Sequence, residues 1–242
     1  MAIKAARSAG EIIQQYINEE VVVERKQAGT SDASQVVTLV DKACEKAILA
    51  QLLPSCKAFD LALLSEETED DERRFEKDFF WCIDPLDGTL AFIKKHPGFS
   101  VSIALVAKDG TPYIGVVLDP STNTMYHAFK GLGAFKNGQP WVIAPTNDWL
   151  SYVTDRKLKD TPHAAQIELF LSAKVKELNL KGIKEIAGAG SVLNAILVLE
   201  NGPGCMLKLP KIELGGGSIW DFAATACIYE ALGLPVSNYL GG

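Results

Sequence analysis

The chain has 242 residues, 48% hydrophobic and 22% charged, a balance that supports a sizeable buried core and excludes a disordered polyelectrolyte. Its formal net charge is -6, with Lys and Arg scattered rather than striped, which argues against a DNA or RNA polymer as partner. No apolar run approaches about 20 residues and no charged-then-apolar leader opens the chain, so a cytoplasmic protein without a membrane partner is expected.

Residues 2–17 place Ile3, Ala6, Ile13 and Ile17 at helical spacing. Val40, Cys44, Ala47, Ile48 and Leu52 repeat the pattern, and Pro54 is expected to stop that second helix. The runs 59–64 and 79–83 read as strands on either side of a charged loop, 66–78. Four further runs, 99–107, 113–118, 125–129 and 134–136, are punctuated by Asp109-Gly110, Asp119-Pro120 and, after the last, Asn137-Gly138, and these turn dipeptides predict an antiparallel meander. Thr161 caps a helix that starts at Pro162 and runs to about Leu178, and another follows Ser191 with Val192, Leu193, Ile196 and Leu197 on one side. A strand over 205–209 and a glycine run at 215–217 precede Ser218, which caps a helix holding Ala223, Ala226, Cys227 and Glu230, with Gly233 just beyond. This alternation predicts a layered α/β sandwich. The expected division is an N-terminal α+β lobe over 1–145 and a C-terminal α/β lobe over 146–242, joined as one catalytic unit.

The five cysteines are odd in number and far apart, and the three histidines are isolated, so a zinc site or a histidine-based triad lacks raw material. Carboxylates are better placed. Glu66 and Glu67 follow one apolar run, Asp84 and Asp87 follow another, and Asp221 falls in the first turn after Ser218. Strand ends and helix starts gather at the rim of an α/β fold, where such side chains can meet in one cleft. Converging carboxylates repel unless cations sit between them, and oxygen ligands alone select Mg2+, Mn2+ or Ca2+. In Asp84-Pro85-Leu86-Asp87-Gly88-Thr89, Pro85 stiffens a turn so that both aspartates and the Leu86 carbonyl can face one point. Gly88 allows close backbone approach, and the N–H groups from Gly88 and Thr89 onward can seat a phosphate oxygen. Singly, these groupings read as a solvated loop, a turn and a helix N-terminal carboxylate. Their conjunction favours a metal site.

The sequence resembles the inositol monophosphatase superfamily of metal-dependent, lithium-sensitive phosphatases. Val37-Thr38 with Asp41, Ser65-Glu66-Glu67, residues 81–89, residues 188–191, and Trp220-Asp221 followed by Ala223-Ala224 carry the likeness in order over nearly the whole chain. Within it, Leu64-Ser65-Glu66-Glu67, Phe92-Ile93-Lys94 and Ser102-Ile103-Ala104-Leu105 look most like bacterial 3′(2′),5′-bisphosphate nucleotidases, which turn 3′-phosphoadenosine 5′-phosphate into AMP. The resemblance implies a layered α-β-α-β-α sandwich with mixed, largely antiparallel sheets. It implies Glu66, Asp84, Asp87, Asp221 and the Leu86 carbonyl as metal ligands, and Thr89 paired with Asp41 as the group that deprotonates an attacking water. Mg2+ is the implied cofactor, as two or three ions, with Mn2+ a substitute and Ca2+ or Li+ expected inhibitors. A threonine hydroxyl is too weak a base alone, so a carboxylate partner is chemically required.

The expected partner is a small phosphate ester, held by Gly88 and Thr89 at its phosphate and by Ser191 and Asn194 elsewhere, with a capping serine and a hydrogen-bonded helix asparagine as the equally open readings of those two, and the protein is expected as a monomer or homodimer. The nucleotidases carry Lys-Glu where this chain has Leu90-Ala91, and a lysine where it has Asn194, which exchanges a charge-assisted bond for a neutral one. An inositol or sugar phosphatase therefore stands as an alternative substrate reading. A metal- and phosphate-binding regulatory protein with weak turnover is the alternative from another class.

Overall fold

A computed structural model of the chain describes residues 1–17, 23–25, 36–145, 147–155, 157–161, 163–208 and 217–238. Helices α1 (Ala2–Tyr16) and α2 (Leu39–Phe59) flank a short antiparallel pair, β1 (Val23–Arg25) and β2 (Val36–Thr38). The main sheet then forms from β3 (Ala62–Ser65), β4 (Phe79–Asp87), β5 (Ser100–Ala107), β6 (Pro112–Asp119), β7 (Thr124–Phe129), β8 (Gly133–Lys136) and β9 (Gln139–Pro140), with the short helix α3 (Thr89–Ile93) after β4. Its seven strands lie in chain order. The β3–β4 pair is parallel and every later pair antiparallel. Strand β10 (Leu150–Thr154) lies between β11 (Ile183–Ala187) and β12 (Gly204–Met206) in a three-stranded parallel sheet. Helix α4 (Ala164–Glu177) connects β10 to β11, α5 (Ser191–Glu200) connects β11 to β12, and α6 (Ala223–Ala231) follows β12.

Side-chain alternation along the strands divides the core into layers. Ile83, Val101, Ile103, Val116 and Leu118 meet Ala5, Ala9, Ile13, Cys44, Ile48 and Leu52 of α1 and α2 on one face. Cys82, Ala104, Val106, Val117 and Ala128 meet Val192, Ile196, Ala224, Cys227 and Ile228 of α5 and α6 on the other. Beyond α5 lies the small sheet, whose Leu150 and Tyr152 pack on Ile167 and Leu171 of α4. The order is α-β-α-β-α with a mixed, largely antiparallel main sheet, as the resemblance implied.

Four local readings change. Ser218 caps the 3-10 turn Ile219–Asp221, and Phe222 occupies the cap position of α6. Pro54 lies inside α2 rather than at its end. Ser55 Oγ donates to the Leu52 carbonyl at 2.6 Å and accepts from Trp81 Nε1 at 2.9 Å, so contact with β4 holds the turn that follows the proline. The strand expected over 59–64 is shorter, because Phe59 still belongs to α2 and Asp60 turns left-handed at φ 53°, with Leu61 N–H closing on the Cys56 carbonyl at 3.0 Å. This is a Schellman-type stop, and strand geometry begins only after it. Thr161 does not cap α4. Its hydroxyl turns back to the Lys157 carbonyl at 3.1 Å, and His163 occupies the cap position. Pro162, Leu209, Gly215 and Gly216 lie outside the described residues, as do the side chains of Val37 and Thr38.

Candidate active site

Strand β4 is buried along most of its length, so its C-terminal Asp84 and Asp87 can escape the core only by facing the cleft at its end. Asp84 is 2% exposed and Asp87 6% exposed. The 3-10 turn Ile219–Asp221, which precedes α6, brings Asp221 to them from the other end of the chain. One carboxylate oxygen from each of Asp84, Asp87 and Asp221 lies within 4.8 Å of the others. Glu66, at the end of β3, lines the same cleft of about 1170 Å³ together with Leu86, Gly88, Thr89 and Ser191.

Electrostatics report how crowded this point is. Burial drives the Asp84 pKa well above the ordinary carboxylate range, and the nearby charges of Glu66, Asp87, Asp221 and Asp41 push it further. Asp87 is raised to about 7 by burial and Asp221, against the pull of the Val192 N–H and Lys208. Asp221 is raised by burial and by Asp155, and held back by the Ser218 N–H and Lys208. Such a cluster is costly as bare anions, and its all-oxygen donor set matches a hard divalent cation.

The backbone fixes the cluster. Leu86 N–H donates to Asp84 Oδ1 at 3.0 Å, a turn set within the Asp-Pro-Leu-Asp loop. Asp87 receives the Ser191 N–H at 3.1 Å and the Val192 N–H at 3.0 Å, so it caps α5 from more than a hundred residues away. Gly88 has φ 80°, and a Cβ there would come within 2.5 Å of the Gly98 carbonyl. Gly190 packs so closely that a Cβ would overlap the Asp87 carboxylate, and its N–H donates to the Gly98 carbonyl at 2.7 Å. Thr89, the first residue of α3, offers its hydroxyl to Asp41 Oδ1 at 3.2 Å and to the Leu86 carbonyl at 3.0 Å. Asp41, in the first turn of α2, is 4% exposed and stands behind Thr89 rather than on the cleft wall.

The structure therefore brings Glu66, Asp84, Leu86, Asp87, Gly88, Thr89, Ser191 and Asp221 to one cleft. Asn194 is placed differently from its expected role as a substrate contact. It is fully buried, and its Nδ2 donates to Asp155 Oδ1 at 2.9 Å and to the Ala189 carbonyl at 3.1 Å. Two cleft residues were missed. Lys208 binds Ser191 Oγ, lies 3.5 Å from Asp155 and stands 5.2 Å over the Phe222 ring. Asp155 directly follows β10 and thus bears the same mark, an acid at the end of an apolar strand, that singled out the other carboxylates. Lys208 could have been flagged as a lone cation between Leu207 and Leu209.

A model of the inositol monophosphatase family matches residues 1–242. The chain belongs to that family. Its members are phosphatases and are generally metal-dependent. Nus factor SuhB of Salmonella typhimurium is 38% identical over 250 residues, covering all of this chain and 85% of the relative. CysQ from Bacteroides thetaiotaomicron, a bacterial member of the family, superposes with a TM-score of 0.70 at 27% identity, over 96% of this chain and 85% of that one. The Thermotoga maritima IMPase gives a TM-score of 0.69 at 25% identity, over 96% of this chain and 81% of its own.

Proposed function

We propose that this protein is a Mg2+-dependent phosphomonoesterase acting on a small soluble phosphate ester, with a 3′(2′),5′-bisphosphate nucleotide as first substrate and an inositol or sugar phosphate as second. The observation that carries the reading is the set of carboxylates of Asp84 and Asp87, both buried, and Asp221, half-buried, within 4.8 Å, beside the Thr89–Asp41 pair. Asp84, Asp87, Asp221, Glu66 and the Leu86 carbonyl would hold the ions. Bound divalent cations in such a site polarise the phosphoryl group and acidify the nucleophilic water.

The chain's own residues do the rest. Thr89 Oγ1 takes a proton from the attacking water while its own proton passes to Asp41 Oδ1, the carboxylate it already faces at 3.2 Å. The hydroxyl leaves its alternative acceptor, the Leu86 carbonyl, when it turns fully to Asp41. Gly88, left without a side chain, packs its backbone on Gly98 and Gly190 and so places the start of α3, whose first amides would meet the ester phosphate, on the cleft. Lys208, tethered between Asp155 and Ser191, offers a charge to a second anionic group on the substrate. That cation stands in for the lysine that Asn194 replaces in the nucleotidase pattern and supports the bisphosphate reading. The lobes 1–145 and 146–242 act as one unit, because each contributes carboxylates to the same point.

Phosphate release from 3′-phosphoadenosine 5′-phosphate, inositol 1-phosphate and fructose 1,6-bisphosphate, with Mg2+ and with EDTA, tests this. Turnover that requires Mg2+ and disappears in Asp84→Asn is expected. Metal uptake with no release from any ester would overturn the enzyme reading in favour of a binding protein.

A further inference from the structure

Strand β5 carries two buried hydroxyls on the face that the carboxylates share. Ser100 pairs across the sheet with Asp87, and Ser102 pairs with Asp84. The two serines are two residues apart and therefore point to the same side. Ser100 Oγ donates to Asp87 Oδ2 at 3.4 Å. Ser102 does something different: its hydroxyl crosses 118 positions of sequence to reach the carbonyl of Trp220 at 3.2 Å. Trp220 immediately precedes Asp221 in the turn Ile219–Asp221. Ser102 is 1% exposed, and the Trp220 carbonyl is the partner of its hydroxyl in a part-buried bond. The capping box binds Asp221 to Ser218 within the turn, and that bond orients the side chain but does not locate the turn against the main sheet. The Ser102 bond does locate it, from the residue directly opposite Asp84.

We propose that Ser102 is a positioning residue whose hydroxyl sets the separation between Asp84 and Asp221, and thereby the affinity for the cation that these two aspartates share. The proposal rests on the metal-site reading above. Carboxylates drawn from distant segments of a chain can share an ion only if the two segments are held in register; packing of Trp220 and α6 on the main sheet brings the turn close, and the Ser102 bond sets its register opposite Asp84.

Direct Mn2+ binding, read from the free-ion paramagnetic resonance signal without substrate, tests it on wild type, Ser102→Ala and Ser102→Thr. Ser102→Ala is expected to raise the Mn2+ dissociation constant about tenfold, the scale on which loss of a supporting partner weakens a metal site. Ser102→Thr, which keeps the hydroxyl, restores binding to within about threefold of wild type. Equal binding by wild type and Ser102→Ala overturns the positioning role, and so does equal weakening in Ser102→Ala and Ser102→Thr. If Ser102→Ala does not fold, Ser102→Cys takes its place, a similar volume with a weaker donor and the same expected weakening. Wild type that takes up no Mn2+ defeats the metal-site reading itself, which separates the two failures.

Discussion

Asp84→Asn should make the metal-free protein more stable while abolishing its chemistry. The carboxylate oxygens of Asp84, Asp87 and Asp221 approach within 4.8 Å. Two full charges at that distance would repel by about 3 kcal/mol at an effective dielectric constant of about 20, and Asp84, whose pKa is driven well above the ordinary range, avoids this in the metal-free protein only by holding a proton, which itself costs stability at neutral pH. Asp87, raised to about 7, is about half protonated at neutral pH, which trims that repulsion. Asparagine keeps the shape and the acceptor for the Leu86 N–H, so little is lost in exchange. A net gain of about 2 kcal/mol corresponds to a rise in Tm of about 4–8 °C for a chain of this size. The assay is thermal unfolding in EDTA and again in excess Mg2+. Wild type should gain stability from Mg2+, and Asp84→Asn should gain far less. The sign in pH is fixed as well: Asp87 has a folded pKa above its unfolded value, so in EDTA its contribution is present at low pH and disappears as pH rises through about 7. A variant that melts below wild type in EDTA, or that Mg2+ stabilises as strongly as wild type, would refute the charge-crowding argument.

Thr89→Val should lower kcat by about a hundredfold or more with Mn2+ binding unchanged, whereas Thr89→Ser should retain most activity, because the proton path to Asp41 needs only the hydroxyl. Lys208→Met should reduce kcat/KM for 3′-phosphoadenosine 5′-phosphate by about tenfold or more while changing inositol 1-phosphate turnover by less than about threefold; a parallel fall for both would assign Lys208 to scaffold rather than selectivity. His127 stacks 5.1 Å from Phe135 at an 11° angle, and burial holds its pKa below the ordinary histidine value. Its stabilising contribution is therefore lost as pH falls through about 6.5, by at most about 1.4 kcal/mol per pH unit, and urea midpoints at pH 7.5 and 5.5 should converge in His127→Phe relative to wild type.

The meander from β5 to β8 was legible because its turns announce themselves. Gly110, between β5 and β6, sits at φ 91°, and Asn137 and Gly138, which turn β8 into β9, at 50° and 77°, conformations those residue types favour. The convergence of Asp84, Asp87 and Asp221 was legible for another reason, since the first two follow a clear apolar segment and the third falls in the first turn after a capping serine. Of the small parallel sheet only the strand at β12 was legible, while β10 and β11 escaped notice. Ile183–Ala187 alternates weakly and lies at an edge, and Leu150–Thr154 is paired to partners far along the chain, which no local period encodes. With β10 unseen, Asp155 had no strand end to mark it, and Lys208 had no wall to stand on. Asn194 looked like a substrate contact because helical position alone does not tell a cleft-facing side chain from one that turns to a neighbouring strand.

The placement of Asp87 links the site's cost to the architecture. It accepts two amides from the start of α5, which belongs to the layer between the two sheets, and it sits on β4 of the main sheet. A helix N-terminus is a favourable place for a carboxylate, so part of the desolvation cost at Asp87 is offset before any ion arrives. Asp84 has the Leu86 N–H within its own loop, and four neighbouring acids raise its pKa. A cation therefore relieves Asp84 most, while Asp87 serves as the joint between layers. The close backbone stacking of Gly88, Gly98 and Gly190 makes that joint possible, since a methyl at Gly190 would displace the Asp87 carboxylate from the helix. It follows that cation affinity and the docking of α5 onto the main sheet are coupled through one side chain. A substitution that loosens the start of α5 weakens ion binding even though it removes no ligand.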